Sequence, residues 1–360
     1  MRARDAVART AWTGHGAGAA LLRAGLAPLG AAYAVLWRIR EALPRRCVRL
    51  DARVISVGNL TVGGTGKTPL AAHVAEILTR AGIPAAIVSR GYGRQSRETL
   101  VVVSDRERVL TGAARAGDEP VMLGYKLPGV PVIVCADRAR AGHEAITRFG
   151  IRALVLDDAF QNRAVVKDLE IVTVDGRSPF GNGRMLPAGP LRMPPSALAR
   201  ADAIVITKLG KRDDPEATRR MLRAQAPRAA IFEAHTVAVE LRDLHTGKAV
   251  PMDFMRHRRV VAMCALAEPR AFTDLLVEEG IEVADSFAFP DHHVYGPDDV
   301  ARVRSGARGI EAVVTTEKDA VKLDPAWVRG EPPVFSLVTA VRLDDETGFE
   351  RLVRGEVGLG

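Results

Sequence analysis

The feature that most constrains this chain is a glycine-rich stretch entered from a β-type run and left by a helix-type run. Arg53-Val-Ile-Ser-Val57 is short, apolar and rich in β-branched residues. Thr61, Val62, Gly63, Gly64, Thr65, Gly66, Lys67 and Thr68 follow it. From Pro69 to Arg80, Leu70, Val74, Ile77 and Leu78 recur at helical spacing. Pro69 falls in the first helical turn, where its missing N–H costs nothing. Strand, loop and helix in that order make a βα unit of a parallel sheet. The loop N–H groups and the helix N-terminus form a cradle for phosphates. In such a cradle Lys67 reaches the β- and γ-phosphates and the Thr68 hydroxyl binds Mg²⁺. The usual pattern, G-x-x-x-x-G-K-[ST], has glycine where this chain has Thr61. Gly63 and Gly64 supply the backbone freedom instead. A nucleoside triphosphate with Mg²⁺ is the implied ligand.

The rest of the chain repeats the alternation. Ala85–Ser89, Leu100–Val103, Val132–Cys135, Ala153–Leu156, Glu170–Val174, Ala203–Thr207 and Val260–Cys264 are short apolar runs. Helical patterns such as Asp137–Phe149 and Pro269–Glu279 lie between several of them. This predicts an α/β fold, doubly wound, with a mostly parallel sheet covered on both faces. Residues 176–195 are rich in Gly and Pro and read as a long ordered loop of functional character. A polar, basic stretch near Arg242–Arg259 sets a soft boundary. The expected division is an N-terminal segment (1–46), a nucleotide-binding domain (47–250) and a smaller C-terminal α/β lobe (251–360).

Three acidic features stand out. Ala153-Leu-Val-Leu-Asp-Asp158 is an apolar strand ending in two carboxylates, the arrangement Mg²⁺ needs beside a phosphate loop. Asp157 and Asp158 alternate in direction, so one can face the metal while the other supports it. Asp118, in Gly117-Asp-Glu-Pro120, opens a predicted helix and taken alone reads as a cap. Asp291 is followed by His292 and His293, a pair suited to proton transfer or substrate contact.

The N-terminus is apolar from Gly16 to Trp37, with Arg23 as its only charge. The uninterrupted run from Ala24 to Trp37 is shorter than the roughly 20 residues of a spanning helix. Arg38, Arg40, Arg45 and Arg46 follow, and Trp12, Tyr33 and Trp37 lie where interfacial aromatics sit. An interfacial membrane helix is the expectation, ahead of a buried core helix. Among 360 residues the formal net charge is +8, which suits an anionic partner. Nucleic acid is disfavoured, because aromatics are only 5% and no stacking platform is interleaved with the basic residues. Three scattered cysteines rule against a disulfide framework or a zinc site.

Taken together, the motifs resemble those of the tetraacyldisaccharide 4'-kinases, the lipid A 4'-kinases of Gram-negative bacteria. The matching stretches are Ser56–Pro69, Ser89-Arg-Gly-Tyr-Gly93, Gly117–Pro120, Asp157-Asp-Ala-Phe-Gln161, Leu186–Arg192, Phe289–His293 and Thr315–Lys322. They span nearly the whole chain in the family's order, and that family's loop carries the same Thr61. The resemblance implies a P-loop kinase-like fold and transfer of the γ-phosphoryl group of ATP to the 4'-hydroxyl of a tetraacylated glucosamine disaccharide 1-phosphate. It implies Asp118 as base, with His292 or His293 tuning it, and Lys67 on the triphosphate. Thr68, Asp157, Asp158 and Gln161 are expected around Mg²⁺, and Arg138 and Arg192 on phosphoryl or substrate 1-phosphate charge. The substrate and an anionic membrane surface are the implied partners, at the cytoplasmic face of the inner membrane, with no obligate protein partner. Ala159, Asn162 and Met193 depart from the family's Gly, His and Glu. A membrane-associated ATPase or GTPase switch shares the loop, the acid-ended strand and the anchor, and stays open at this point.

Overall fold

The computed structural model describes residues 10–355 apart from His15, Arg45, 210–213 and Arg308. Arg45 of the N-terminal basic cluster therefore lies outside the described residues. In chain order the first elements are α1 (Ala17–Ala42), β1 (Arg53–Gly58), α2 (Lys67–Arg80), β2 (Ala85–Ser89), β3 (Leu100–Ser104), α3 (Ala113–Ala116) and α4 (Asp118–Lys126). Next come β4 (Val132–Cys135), α5 (Arg138–Phe149), β5 (Ala153–Asp157), β6 (Leu169–Asp175), β7 (Ala203–Thr207), α6 (Pro215–Gln225), β8 (Ala230–Asp243) and β9 (Ala249–Pro251). The last are β10 (Arg259–Cys264), α7 (Pro269–Glu278), β11 (Glu282–Ala288), α8 (Pro297–Gly306), β12 (Ala312–Thr316), α9 (Glu317–Ala320), β13 (Val334–Leu343) and α10 (Glu346–Arg354).

The chain forms two compact units. The first comprises Met1–Ser89, Asp137–His235 and Leu343–Gly360, and the second Arg90–Ala136 and Thr236–Arg342. This departs from the linear division read from the sequence. Residues 90–136 sit in the second unit rather than the nucleotide-binding one, the later segment of the second unit begins at 236, and the last helix returns to the first. There Phe349 meets Phe232 edge-on at 5.2 Å and Glu346 pairs with His73 at 2.7 Å.

In the first unit β2, β5, β1, β6, β7 and the start of β8 run side by side, all parallel. These strands are continuous apolar runs because helices and loops cover both faces. Leu70, Val74, Ile77 and Leu78 of α2 are buried, each contributing about 1.5–3 kcal/mol. Gly58, at the end of β1, is set by close approach. A Cβ there would stand 2.6 Å from the Cβ and backbone N of Phe160. That contact brings the turn after β5 against the start of the phosphate loop.

Helix α1 is 26 residues, longer than the apolar run that predicted it, and is long and apolar enough to cross a membrane. One face packs on the first unit. Gly30 lies against Ala188, Trp37 joins the core, and the Tyr33 hydroxyl donates to the Arg192 carbonyl at 3.2 Å. Glu41 pairs with Arg163 at 2.8 Å and Arg200 at 2.9 Å. The opposite face presents Leu21, Leu29, Leu36 and Ile39 to solvent.

In the second unit β11, β10, β12 and β13 are parallel neighbours. Strands β3 and β4 pair antiparallel, which the apolar runs alone did not distinguish from parallel. Val260, Ala262, Phe272, Leu276 and Phe335 are buried together on one side, and Val261, Met263, Phe289, Tyr295 and Val303 on the other.

Candidate functional site

The phosphate loop lies at the C-terminal end of β1 in the first unit. Gly66 takes a left-handed conformation with φ 75° and opens α2. Asn59 Nδ2 donates to Thr65 Oγ1 at 2.8 Å, and Thr65 Oγ1 meets Thr173 Oγ1 at 2.7 Å. Thr207 Oγ1 donates to the Thr65 carbonyl at 3.1 Å. Side chains from β6 and β7 thus hold the loop. Its flank is held by the long loop of residues 176–195, where Val62 N donates to the Pro190 carbonyl at 2.8 Å and Thr61 bridges Leu191. That pairing gives Thr61 a backbone function and explains why a glycine is not needed there. Gly63 and Gly64 face open space, and Lys67 Nζ lies 3.4 Å from the Gly63 carbonyl.

The register of β1 on β5 pairs Val57 with Asp157. This brings the Asp157 carboxylate to Thr68 Oγ1, 3.3 Å away, both buried. Asp158, with φ 49°, turns the other way and takes Arg192 through two contacts, 2.8 and 3.1 Å. Arg192 also reaches Asn59 Oδ1. Burial pushes the Asp158 carboxyl up, but Arg192, Lys67 and Arg138 together hold it below the ordinary carboxylate range. Arg138 is itself buried, and its Nη2 donates to the Asp157 carbonyl at 3.2 Å. Gln161 Nε2 donates to the Asn59 carbonyl at 2.8 Å. Arg138 and Arg192, expected on phosphate or substrate charge, are thus engaged with the acid-ended turn.

Among the described residues no group of three or more His, Cys, Asp or Glu side chains is disposed to hold a metal. Mg²⁺ does not require one. It is held by one or two protein oxygens plus substrate phosphates, and the Thr68 hydroxyl beside Asp157 is an all-oxygen donor set of that kind. The family departures are absorbed locally. Ala159 is not among the positive-φ residues, the condition under which alanine is tolerated. Asn162 Oδ1 accepts from Ala164 N, and Met193 is buried in the core of this unit.

The second unit carries the other predicted residues. Gly117, at φ 98°, places the start of α4 where a Cβ would stand 2.8 Å from the Tyr92 carbonyl. Asp118 follows, buried, with Oδ2 2.8 Å from His292 Nδ1. His292 has φ 59°, and the Tyr92 ring lies 5.4 Å from its own. The adjacent His293 points elsewhere. Its Nε2 meets Asp299 Oδ2 at 2.8 Å and its ring stacks on Phe289. Of the two histidines, Asp118 therefore pairs with His292, and His293 ties the loop to α8. Burial pushes the Asp118 carboxyl up, but the His292 hydrogen bond, with Lys318 and Lys322, holds it below the usual carboxylate range. The hydrogen bond to Asp118 raises His292 above an ordinary histidine, with burial opposing. Tyr92 and Asn59 lie inside stretches quoted above, but nothing in the residue order marked them as partners of His292 and Arg192.

The sequence matches the family Tetraacyldisaccharide-1-P 4'-kinase over residues 22–357. It is 41% identical over 341 residues to the tetraacyldisaccharide 4'-kinase of Anaeromyxobacter sp. strain Fw109-5, covering 93% of this chain and 86% of that one. The enzyme of the same name from Geobacter metallireducens is 42% identical over 316 residues, covering 86% of this chain and 91% of its own length. Among solved structures, LpxK from Aquifex aeolicus, in complex with ATP, superposes with a TM-score of 0.75 at 29% identity, covering 93% of this chain and 99% of that one. A near full-length match, on a fold that carries the phosphate loop and the acid-ended strand where the motifs require them, shows that the chain belongs to the tetraacyldisaccharide 4'-kinase family.

Proposed function

We propose that this kinase transfers the γ-phosphoryl group of ATP to the 4'-hydroxyl of its lipid disaccharide 1-phosphate with Asp118 as the group that takes the hydroxyl proton. The observation that carries the reading is the buried Asp118 paired at 2.8 Å with the half-buried His292, a carboxylate whose partner is itself a titratable base. The 4'-oxygen forms a bond to the γ-phosphorus, the bond from that phosphorus to the β,γ-bridging oxygen breaks, and the proton leaves the sugar for Asp118. A depressed carboxylate serves, because in a loose transition state the hydroxyl is deprotonated late. His292 orients Asp118 and shares its charge.

Lys67 and the amides of Thr61–Thr68 bind the triphosphate. Thr68 and Asp157 are the residues that would hold Mg²⁺, which when bound offsets the charge of the β- and γ-phosphates. Arg192 fixes Asp158, and Arg138 fixes the strand end that carries Asp157.

Helix α1 serves membrane association at the cytoplasmic face of the inner membrane. Its exposed apolar face would enter the acyl region, with Arg38 and Arg40 near its C-terminal end for anionic head groups. Its other face is occupied by the first unit, which favours lying in the interface over crossing the bilayer.

The test is transfer of label from γ-labelled ATP to a defined tetraacylated disaccharide 1-phosphate. Acceptor-dependent labelling with matching ADP release is expected. Release of ADP that ignores the acceptor would return the nucleotide-switch reading.

A further inference from the structure

Three carboxylates from two chain segments converge on one cation in the second unit. Lys318 Nζ lies 2.9 Å from Asp291 Oδ1, 3.5 Å from Glu119 Oε1 and 3.8 Å from Asp118 Oδ2. Its ammonium is largely withdrawn from solvent, with the side chain 13% exposed. The residues on either side of it are pinned. Glu317 takes Lys126 Nζ at 2.9 and 3.0 Å and Thr339 N at 3.1 Å. Asp319, fully buried, accepts from Ala265 N at 2.9 Å and the Thr316 hydroxyl at 2.7 Å, and pairs with Lys322 at 2.7 Å. The turn from β12 into α9 is thereby fixed, and the base of the Lys318 side chain with it.

This placement has two physical effects. Asp291 immediately precedes His292, so the ion pair ties the loop that presents the imidazole to the start of α4 that presents the carboxylate. The permanent charge also sits on the same oxygen, Asp118 Oδ2, that faces His292. Burial lowers the proton affinity of Lys318, but Glu119, Asp118 and Asp291 more than restore it, so it stays charged. We propose that Lys318 is a positioning residue for the Asp118–His292 pair, holding His292 in register through Asp291 and keeping Asp118 ionised and ready to accept a proton. The proposal rests on the reading of Asp118 as base. The charged groups around the pair are Lys318, Lys322, Glu119 and Asp291, with the Tyr92 ring on His292 and Asp319 neutralising Lys322.

The sign follows from charge. Removing a cation makes the pair hold a proton more tightly, so activity is lost at a higher pH as the medium is acidified. Removing a neighbouring carboxylate does the opposite. The experiment measures kcat against pH for the wild type, Lys318→Met, Lys318→Arg and Asp291→Asn, with the His292 titration followed by NMR in each. Lys318→Met is expected to move the acid limb and the His292 titration up by about one pH unit. Its KM for ATP should stay within about twofold, because the triphosphate contacts are elsewhere. Lys318→Arg should restore most of the wild-type profile, and Asp291→Asn should move the limb down. An unmoved limb in Lys318→Met, or a raised KM for ATP as its main effect, overturns the proposal. Should Lys318→Met not fold, Lys318→Gln takes its place, and a limb that stays or falls in it overturns the proposal. Asp118→Asn, run alongside, separates the two readings. If it keeps turnover, the base assignment fails. If it is inactive while Lys318→Met keeps the wild-type limb, only the role of Lys318 fails.

Discussion

Arg192 grips Asp158 with both terminal nitrogens, at 2.8 and 3.1 Å, next to the Asp157 carboxylate that faces Thr68. A fork of this kind fixes orientation as well as charge, and lysine cannot reproduce it. Arg192→Lys is therefore expected to raise the Mg²⁺ concentration needed for half-maximal activity by up to roughly 10-fold, because it loosens Asp158, the chain neighbour of the Asp157 that would hold the metal. Titration of Mg²⁺ at fixed ATP measures this, and an unchanged midpoint would detach Arg192 from the metal site.

Asp118→Asn keeps the shape of the side chain and removes its basicity. Turnover should fall by about 10²–10⁴-fold, the range for a lost general base. ATP affinity by calorimetry should change less than about twofold, because the phosphate loop is untouched.

The Asp118–His292 pair also sets a pH dependence of stability. His292 is raised in the folded state, so its contribution is complete below the ordinary histidine pKa and is lost as pH rises through the folded value. Asp118 is lowered, so its contribution is present above the ordinary aspartate pKa and is lost as pH falls through the folded value. Between those ordinary values, roughly pH 4 to 6.5, both are present. His292→Gln should accordingly cost more stability at pH 6 than at pH 9 in urea unfolding, and an equal cost at both would show the pair to be energetically idle.

On α1, Leu29 and Leu36 are exposed. The double change Leu29→Asp/Leu36→Asp should weaken co-sedimentation with anionic vesicles by at least about 10-fold, since each buried leucine is worth roughly 1.5–3 kcal/mol. The melting temperature without vesicles should move little, because both side chains are mostly exposed.

Gly58→Ala should destabilise by about 1–3 kcal/mol, the range for overpacking, since the added methyl meets Phe160 at 2.6 Å. Gly64→Ala, facing open space, is the control, and equal stabilities in urea would show that the two turns can separate.

The phosphate-binding half was legible because its chemistry is consecutive. Arg53 to Arg80 carries strand, loop and helix in one stretch, and β7 runs from Ala203 to Thr207 as the apolar pattern indicated. The interleaving of the units was not legible, because Leu100–Val103 and Val132–Cys135 are apolar runs that suit either unit. Nor could composition choose between His292 and His293. That choice lies in the backbone, where φ 59° at His292 sends its ring to Asp118 while Asp299 takes the other. The apolar run understates the length of α1 because it stops at Trp37. The helix continues through Arg38-Ile-Arg-Glu-Ala42, good helix formers whose Glu41 is held by Arg163 and Arg200.

The hydrogen bond from Tyr33 ends on the carbonyl of the same Arg192 whose guanidinium holds Asp158. Cutting α1 away to obtain a water-soluble enzyme would therefore not be neutral surgery. It would bare Ala188 and the flank of the long loop that steadies Val62, and take with them a support of the nucleotide site. The part of the molecule that looks most like a detachable tether is built into the frame of its chemistry.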